Sequence, residues 1–175
     1  MDWRPIHSPK AYRDPIKEET MPTPDIQTIL QASRFLKRIS AEHLETIAGF
    51  CTIDSHAAGT YLFRQGDFGE DLYIIVDGTI FLERAIDIGS HKGSVVIDAL
   101  GKGRTLGCWS TLLGEPHVLM SSANCQRDTT VLRLKGRQLR ECMERDTQFG
   151  FFLLERLCYL LRDRIQAAYG AMDKI

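Results

Sequence analysis

The sequence predicts a mainly β fold, an antiparallel jelly-roll barrel (a double-stranded β-helix) with helices on either side. Three observations lead to it. Between residues 52 and 134, apolar residues alternate with a period of two, which is typical of half-buried strands. Glycine-containing turns divide this region into short segments, as in small all-β barrels. On both sides of it the apolar spacing changes to three and four residues, which indicates helices.

Composition fits an ordinary soluble protein. The chain has 175 residues, of which 43% are hydrophobic and 26% charged, and a formal net charge of −1. That balance argues against a nucleic-acid-binding surface, and no apolar stretch approaches the roughly 20 residues that cross a bilayer. Five cysteines are scattered without a Cys-x-x-Cys pair. We therefore expect reduced thiols and a cytoplasmic location, with no membrane partner and no nucleic acid.

Residues 1–24 hold five of the six prolines, interleaved with charges. This composition predicts an extended arm without a core of its own. Residues 25–175 are then expected to form the folded domain.

Two short helices should follow the arm. Asp25 is a good N-cap for the first, whose apolar spacing continues to Phe35. Ser40 can cap the second, in which Leu44 and Ile47 belong to the buried stripe.

The alternating region contains six predicted strands. They span residues 60–64, 72–76, 79–85, 94–100, 121–125 and 129–134. Asp77-Gly78 stands between two of them and predicts a tight hairpin, because both turn positions must tolerate positive φ. Residues 87–93 read as the exposed tip of another hairpin.

The C-terminal part should again be helical. A short helix is predicted over 137–144 and a long one over 147–172, in which Leu153, Leu157 and Leu161 are part of a broad apolar stripe. A helix of about 25 residues is about 38 Å long and would outreach a barrel of this size. We therefore expect it to pair with the same helix of a second chain, as a homodimer. A helix that lies wholly on its own barrel is the alternative.

The segment from Ala99 to Cys125 is the candidate site. It opens with a glycine-rich turn and continues into a short apolar run, residues 109–113, which Gly114 stops. Glycines let backbone N–H groups converge, and the start of a short helix adds more, so the segment predicts an anion cradle. A tight turn between two strands is the alternative.

Three glycine motifs make the pattern more specific. They are Gly59-x6-Gly66-Asp67, Leu72-Tyr73-Ile74-Ile75-x2-Gly78 and Leu100-x2-Gly103-x2-Leu106-Gly107. Together they resemble the cyclic-nucleotide-binding domain family, the sensor domain of bacterial catabolite-activator-type regulators and of kinase regulatory subunits. The match covers about residues 35 to 170. It implies a regulatory protein that is not an enzyme, with cAMP or cGMP as ligand and an effector protein, not identified, as partner. In the family, residues 103–114 would be the phosphate-binding cassette and the last helix would dimerise and signal.

Two positions depart from the family pattern. The glutamate that takes the ribose 2′-hydroxyl is replaced by Cys108, and a thiol is a weak acceptor. The arginine that pairs with the phosphate falls on His117 when counted forward from Gly114-Glu115-Pro116. It falls on Leu119 when counted back from the strand 129–134.

The resemblance therefore implies a ligand site built from backbone N–H groups and modified side chains. Its residues are Gly107, Cys108, Trp109, Ser110, His117, Leu119, Ser121 and Ser122. The N–H groups of residues 107–110 should be available to an anion, and a protonated His117 would partly replace the arginine. Trp109 and Leu119 are bulky enough to fill the pocket themselves.

The same residues also bear on three other functions. A module that has lost its ligand and only dimerises or binds a partner protein is the main alternative. A thiol sensor that pairs Cys108 with His117 is a weaker one. A metal enzyme is disfavoured because the five histidines include no His-x-His pair, and no metal is expected. The last predicted helix reaches residue 172 of 175, so a stand-alone module without a helix-turn-helix is expected.

Overall fold

Helices pack against a central set of strands in a computed structural model that describes residues 25–88 and 91–172. The predicted arm, 1–24, lies outside the described residues, as do positions 89–90 of the predicted hairpin tip. The helices are α1 (Ile26–Ala32), α2 (Ala41–Ala48), α3 (Gly136–Arg145) and α4 (Thr147–Met172), with a 3₁₀ helix over Trp109–Leu113. The strands are β1 (Cys51–His56), β2 (Tyr61–Phe63), β3 (Phe68–Gly69), β4 (Asp71–Asp77), β5 (Thr79–Ile88), β6 (His91–Gly101), β7 (Thr105–Gly107), β8 (His117–Val118), β9 (Ser122–Cys125) and β10 (Thr129–Lys135).

Two four-stranded antiparallel sheets form the jelly roll. Their strand orders are β1-β10-β4-β7 and β2-β9-β5-β6, and β3 pairs separately with β8. The predicted mainly β fold with flanking helices is confirmed. The sheets pack face to face but do not close into one continuous barrel.

Alternation along β4 explains this arrangement. Ile75 points between the two sheets, where it packs with Ile80 and Val131. Leu72 and Ile74 belong to a second cluster, which the helices cover from the other side. Because successive side chains of a strand face opposite ways, β4 needs cover on both faces and lies at the centre of its sheet.

The predicted hairpin at Asp77-Gly78 is wrong. Strand β4 pairs with β10 and β7, whereas β5 pairs with β9 and β6, so the chain crosses from one sheet to the other at this point. Gly78 has φ = +113°, and a Cβ there would lie 2.7 Å from the Cα of Thr129. The turn residue was therefore recognised correctly, but the two-sided burial of β4 decides its neighbours.

The helix starts differ from one another. Ser40 caps α2 as predicted and accepts a hydrogen bond from the N–H of His43. Asp25 precedes α1, but its side chain makes no capping hydrogen bond with the described residues. Helix α1 ends at Ala32, earlier than predicted, and Phe35 is buried beyond it.

Helix α4 is anchored at its N-terminal half. Asp146 caps it, accepting hydrogen bonds of 3.0 Å from the N–H groups of Gln148 and Phe149. Phe149, Leu153 and Leu157 are buried in the helical cluster. Of the helices described, none is both long and apolar enough to cross a membrane.

Candidate ligand-binding site

The segment 103–125 leaves β7 and passes through the 3₁₀ helix to β8 and β9. Gly107 makes the turn possible: its φ is +122°, and a Cβ there would lie 3.0 Å from the Cα of Leu72. The next N–H group, that of Cys108, donates to the carbonyl oxygen of Asp71 at 3.0 Å. The expectation that this N–H group is available to an anion is therefore wrong, because the sheet uses it.

A cavity of about 480 Å³ lies between this segment and α4. The sheet β2-β9-β5-β6 contributes Phe63, Leu82, Arg84 and Ile97 to its wall. Helix α4 contributes the opposite side through residues at helical spacing: Leu161, Arg164, Ile165 and Ala168.

Seven of the eight predicted site residues line this cavity. They are Gly107, Cys108, Trp109, Ser110, His117, Leu119 and Ser121. Ser122 is absent from the wall, and its hydroxyl accepts a hydrogen bond from the N–H of Gln65 at 2.9 Å.

Trp109 and Leu119 leave the cavity open, although both are bulky enough to fill it. The indole is half-buried and packs against the helical cluster, where its ring meets Phe35 edge to face at 5.5 Å between centroids. Leu119 is 9% exposed and packs against Gly69, at which a Cβ would approach its Cγ to 2.9 Å. Both side chains therefore form part of the cavity wall and do not occupy the cavity.

Of the two candidates for the arginine position, Leu119 is the buried one. Its N–H donates to the carbonyl oxygen of Asp67 at 2.8 Å, and its own carbonyl accepts from Gly66. His117 is exposed at the rim, where its ring Nδ1 lies 3.2 Å from the carbonyl oxygen of Val118.

The Cys108 thiol makes local hydrogen bonds. Its Sγ lies 3.2 Å from the Ser110 hydroxyl and accepts from the backbone N–H of His117 at 3.4 Å. Burial alone would raise the pKa of this thiol, but these hydrogen bonds outweigh it and place the pKa below its ordinary value. The thiol thus meets the backbone of His117, while the imidazole Nδ1 is directed to Val118.

Sequence reasoning missed the two arginines of the wall. Arg164 forms an ion pair with Asp98 on β6 and donates to the carbonyl oxygen of Thr105 at 3.0 Å. Burial lowers the pKa of Arg164, and the carboxylate of Asp98 opposes that effect. Its place among Leu161 and Ala168, on one apolar helix face, was the signal that could have revealed it.

A second cavity, about 420 Å³, lies on the other side of Cys108 and Leu119. Its wall carries three carboxylates, those of Asp67, Glu70 and Asp71. An anionic ligand is therefore disfavoured there and favoured in the cavity under α4.

Comparisons with known proteins agree with this geometry. The family model described as "Cyclic nucleotide-binding domain" matches residues 53–146. A search of curated proteins finds no match.

Several solved structures are similar to the chain. A cyclic nucleotide-binding domain from Methylobacillus flagellatus is 21% identical, with a TM-score of 0.69 and coverage of 86% of this chain and 83% of that one. A cyclic nucleotide-binding-like protein from Brucella abortus is 29% identical, with a TM-score of 0.56 and coverage of 69% and 99%. The regulatory domain of Toxoplasma gondii PKA, solved with cAMP, is 18% identical, with a TM-score of 0.60 and coverage of 77% and 48%.

The family match spans more than half of the chain, including both sheets, the glycine turn at Gly107 and the segment that walls the cavity. The chain belongs to the cyclic nucleotide-binding domain family.

Proposed function

We propose that this protein is a regulatory domain that binds a small ligand in the cavity under α4, and that α4 carries the signal. One observation supports this above the others: the cassette forms one wall of the cavity and Leu161, Arg164, Ile165 and Ala168 of α4 form the other. A ligand that fills the cavity must contact both, so its binding free energy depends on where α4 lies. No enzymatic activity is part of the proposal.

Cyclic nucleotides are the first ligands to test, but we expect weak binding. Cys108 stands where the family has its glutamate, and His117 or Leu119 stands where it has its arginine. A hydrogen bond to a charged group is worth about 1.5–3 kcal/mol. Loss of two such contacts removes about 3–6 kcal/mol, which is about two to four decades of affinity.

Calorimetric titration with cAMP and cGMP measures this directly, and a thiol reagent at Cys158 reports on α4. Cys158 is exposed on that helix. We expect a saturating cavity ligand to change the rate at which Cys158 reacts. The matched control is Ala168→Phe, which narrows the cavity from the helix side and should abolish both binding and the rate change. Binding that is equally tight in Ala168→Phe would contradict a ligand site in this cavity.

A homodimer through α4 is the second part of the proposal. Apolar residues follow a heptad along the side of the helix that lies between the cavity and solvent: Phe151, Cys158, Ile165 and Met172, each but the last followed three residues later by Leu154, Leu161 or Ala168. Phe151 and Met172 are 72% and 65% exposed. This pattern is typical of a two-stranded coiled coil. The heptad shares Leu161 with the predicted stripe, whereas Leu153 and Leu157 of that stripe are buried by the domain itself.

The heptad also favours the alternative of a ligand-free dimerisation or protein-interaction module. That alternative would be supported if the protein dimerises, binds no small molecule, and shows the same rate of reaction of Cys158 with the thiol reagent whether or not a candidate ligand is added. In either case we propose a cytoplasmic location, because all five cysteines are free thiols.

A further inference from the structure

The walls of the cavity under α4 are mostly apolar. Most of the lining side chains are apolar and come from both sheets and from the helix, among them Phe63, Leu82, Ile97 and Leu161. No aspartate or glutamate is present among the described residues that line it. A ligand rich in hydroxyl groups would lose its water there without gaining partners, which is costly. An apolar body would gain from the same transfer.

Apolar side chains also remain in water around the mouth of this cavity. Val118 and Met120 are 47% and 68% exposed on the cassette side, and Ile165 is 55% exposed on α4. Exposed apolar residues that converge on one concave site are typical of a binding surface. The volume of about 480 Å³ lies within the range of small-molecule sites, about 300–1,000 Å³.

Charge at the wall is positive. Arg84 follows Leu82 by two residues on β5, so both side chains face the cavity. Arg164 lies opposite on α4, where Asp98 pairs with it. Arg84 is the more exposed of the two and stands at the edge of the apolar wall. One anionic group at that edge complements it.

We propose that the cavity binds an amphiphilic organic acid, whose aliphatic or aromatic body lies against the apolar walls and whose single anionic group lies at Arg84. This rests on the proposed function, because it names the ligand class of the same cavity. The body replaces water at Val118, Met120 and Ile165, and it bridges the cassette to α4. A cyclic nucleotide, with its ribose and buried phosphate, fits these walls less well.

Two fluorescent probes of one shape separate the apolar contribution from the charged one. 8-Anilinonaphthalene-1-sulfonate carries an anionic group, and N-phenyl-1-naphthylamine is its neutral counterpart. Both should bind the full-length protein and be displaced by decanoate, but not by cAMP at the same concentration. Arg84→Gln should weaken the sulfonate probe about tenfold and the neutral probe less than about twofold.

Cavity-filling variants locate the probes. Ala168→Phe is expected to weaken the binding of both probes at least about tenfold. If that variant does not fold, Ser121→Phe, on the opposite wall, should have the same effect. Tyr169→Ser is the matched control, because Tyr169 is 67% exposed on α4 but does not line the cavity. It should leave both probes unaffected. Circular dichroism verifies that each variant is folded.

The outcomes are distinct. If cAMP binds more tightly than decanoate and Ala168→Phe removes that binding, the acid is wrong and the proposed function stands. If neither class of ligand binds and the Cys158 rate never changes, the proposed function fails with it. Probe binding that Tyr169→Ser abolishes, or that appears only in a monomeric variant, would assign the apolar surface to a partner chain and overturn the acid as occupant.

Discussion

Two side chains of the candidate site lie between its cavity and the neighbouring one. Cys108 and Leu119 lie side by side against Gly69, where a Cβ would approach the Cβ of Cys108 and the Cγ of Leu119 to 2.9 Å each. They form the partition between the two cavities. Their chemistry is that of wall residues, since a thiol is a weak hydrogen-bond acceptor and a leucine side chain has neither a donor nor a charge.

Restoring those charges should restore the family's ligand. The double variant Cys108→Glu/Leu119→Arg is expected to raise the affinity for cAMP by about two to four decades, because it returns two charge-assisted contacts. Calorimetry measures the gain. Cys108→Glu/His117→Arg is the matched control and tests the other register. A larger gain in that control would show that position 117, rather than 119, faces the phosphate.

Sequence alone could not choose between those registers. The two flanking motifs, Gly114-Glu115-Pro116 and the strand 129–134, count to positions two residues apart. The structure buries Leu119, which contacts Gly69, fifty residues away along the chain, and leaves His117 exposed. Seven of the eight predicted residues line the cavity because the cassette is one continuous segment. Arg84 of β5 could not be predicted, because the fold alone brings it there, whereas Arg164 carried a signal in its position on an apolar helix face.

Gly107 is the residue on which the shape of the cassette depends. Gly107→Ala should destabilise the protein by more than about 1 kcal/mol, because alanine is strained at φ = +122° and its Cβ would meet the backbone of Leu72. Urea unfolding measures the loss. Gly101→Ala is the control, since a Cβ at Gly101 meets nothing within 4 Å. Equal stability of the two variants would show that the turn at Gly107 tolerates a side chain.

Among the elements, α4 has the best-defined start. Asp146 accepts hydrogen bonds from its first turn, and its Oδ2 lies 3.1 Å from the Nε2 of His43, whose ring stacks on Phe149. The bond from the N–H of Phe149 is the main reason that the pKa of Asp146 lies below its ordinary value of 3.8. The carboxylate therefore stabilises the folded state at pH values above the ordinary pKa. That contribution disappears as the pH falls through the lowered one.

Asp146→Ala should accordingly lower the thermal unfolding midpoint at neutral pH. The difference in midpoint from the parent protein should begin to narrow below about pH 3.8 and should vanish below the lowered pKa, where the folded parent loses the charge as well. Asp146→Asn keeps a capping acceptor without a charge and should fall between the two at neutral pH. Thermal melts followed by circular dichroism over a pH series test this. A constant gap at all pH values would mean that the charge contributes nothing.

Helices and strands could be predicted where a single residue pattern determines them. The 26 residues of α4 and the short α3 follow from apolar spacing and were predicted within one residue. Strands β3 and β8 have two residues each, too few to show a period of two. The prediction of a hairpin at Gly78 is wrong for another reason. A turn motif constrains φ, but it does not determine which sheet the next strand joins.

At the scale of the whole molecule, the dimer is the main expectation. In a parallel pair of α4 helices, Cys158 would meet its own copy across the heptad seam. Mild oxidation of the full-length protein should then give a disulfide-linked dimer at micromolar concentration, visible on a non-reducing gel. Burial raises the pKa of Cys51 to about 12, which makes that thiol a poor competitor.

Variants separate this dimer from random oxidation. Cys158→Ser should abolish the cross-link, whereas Cys142→Ser should leave it intact. Sedimentation of Phe151→Glu, which places a charge in the seam, should show a monomer. A monomeric parent protein at high concentration would exclude the α4 dimer.

The two halves of α4 are held by different forces, and this has a dynamic consequence. Phe149, Leu153 and Leu157 are buried in the helical core, but after Leu157 only Ala171 is buried among the helix residues described, and Arg164 ties the second half to Asp98. In a protein without ligand or partner, amide hydrogen exchange should therefore be slow up to about residue 157 and much faster beyond it. The second half of α4 would then open and close reversibly, and its opening equilibrium would set how readily a ligand enters the cavity.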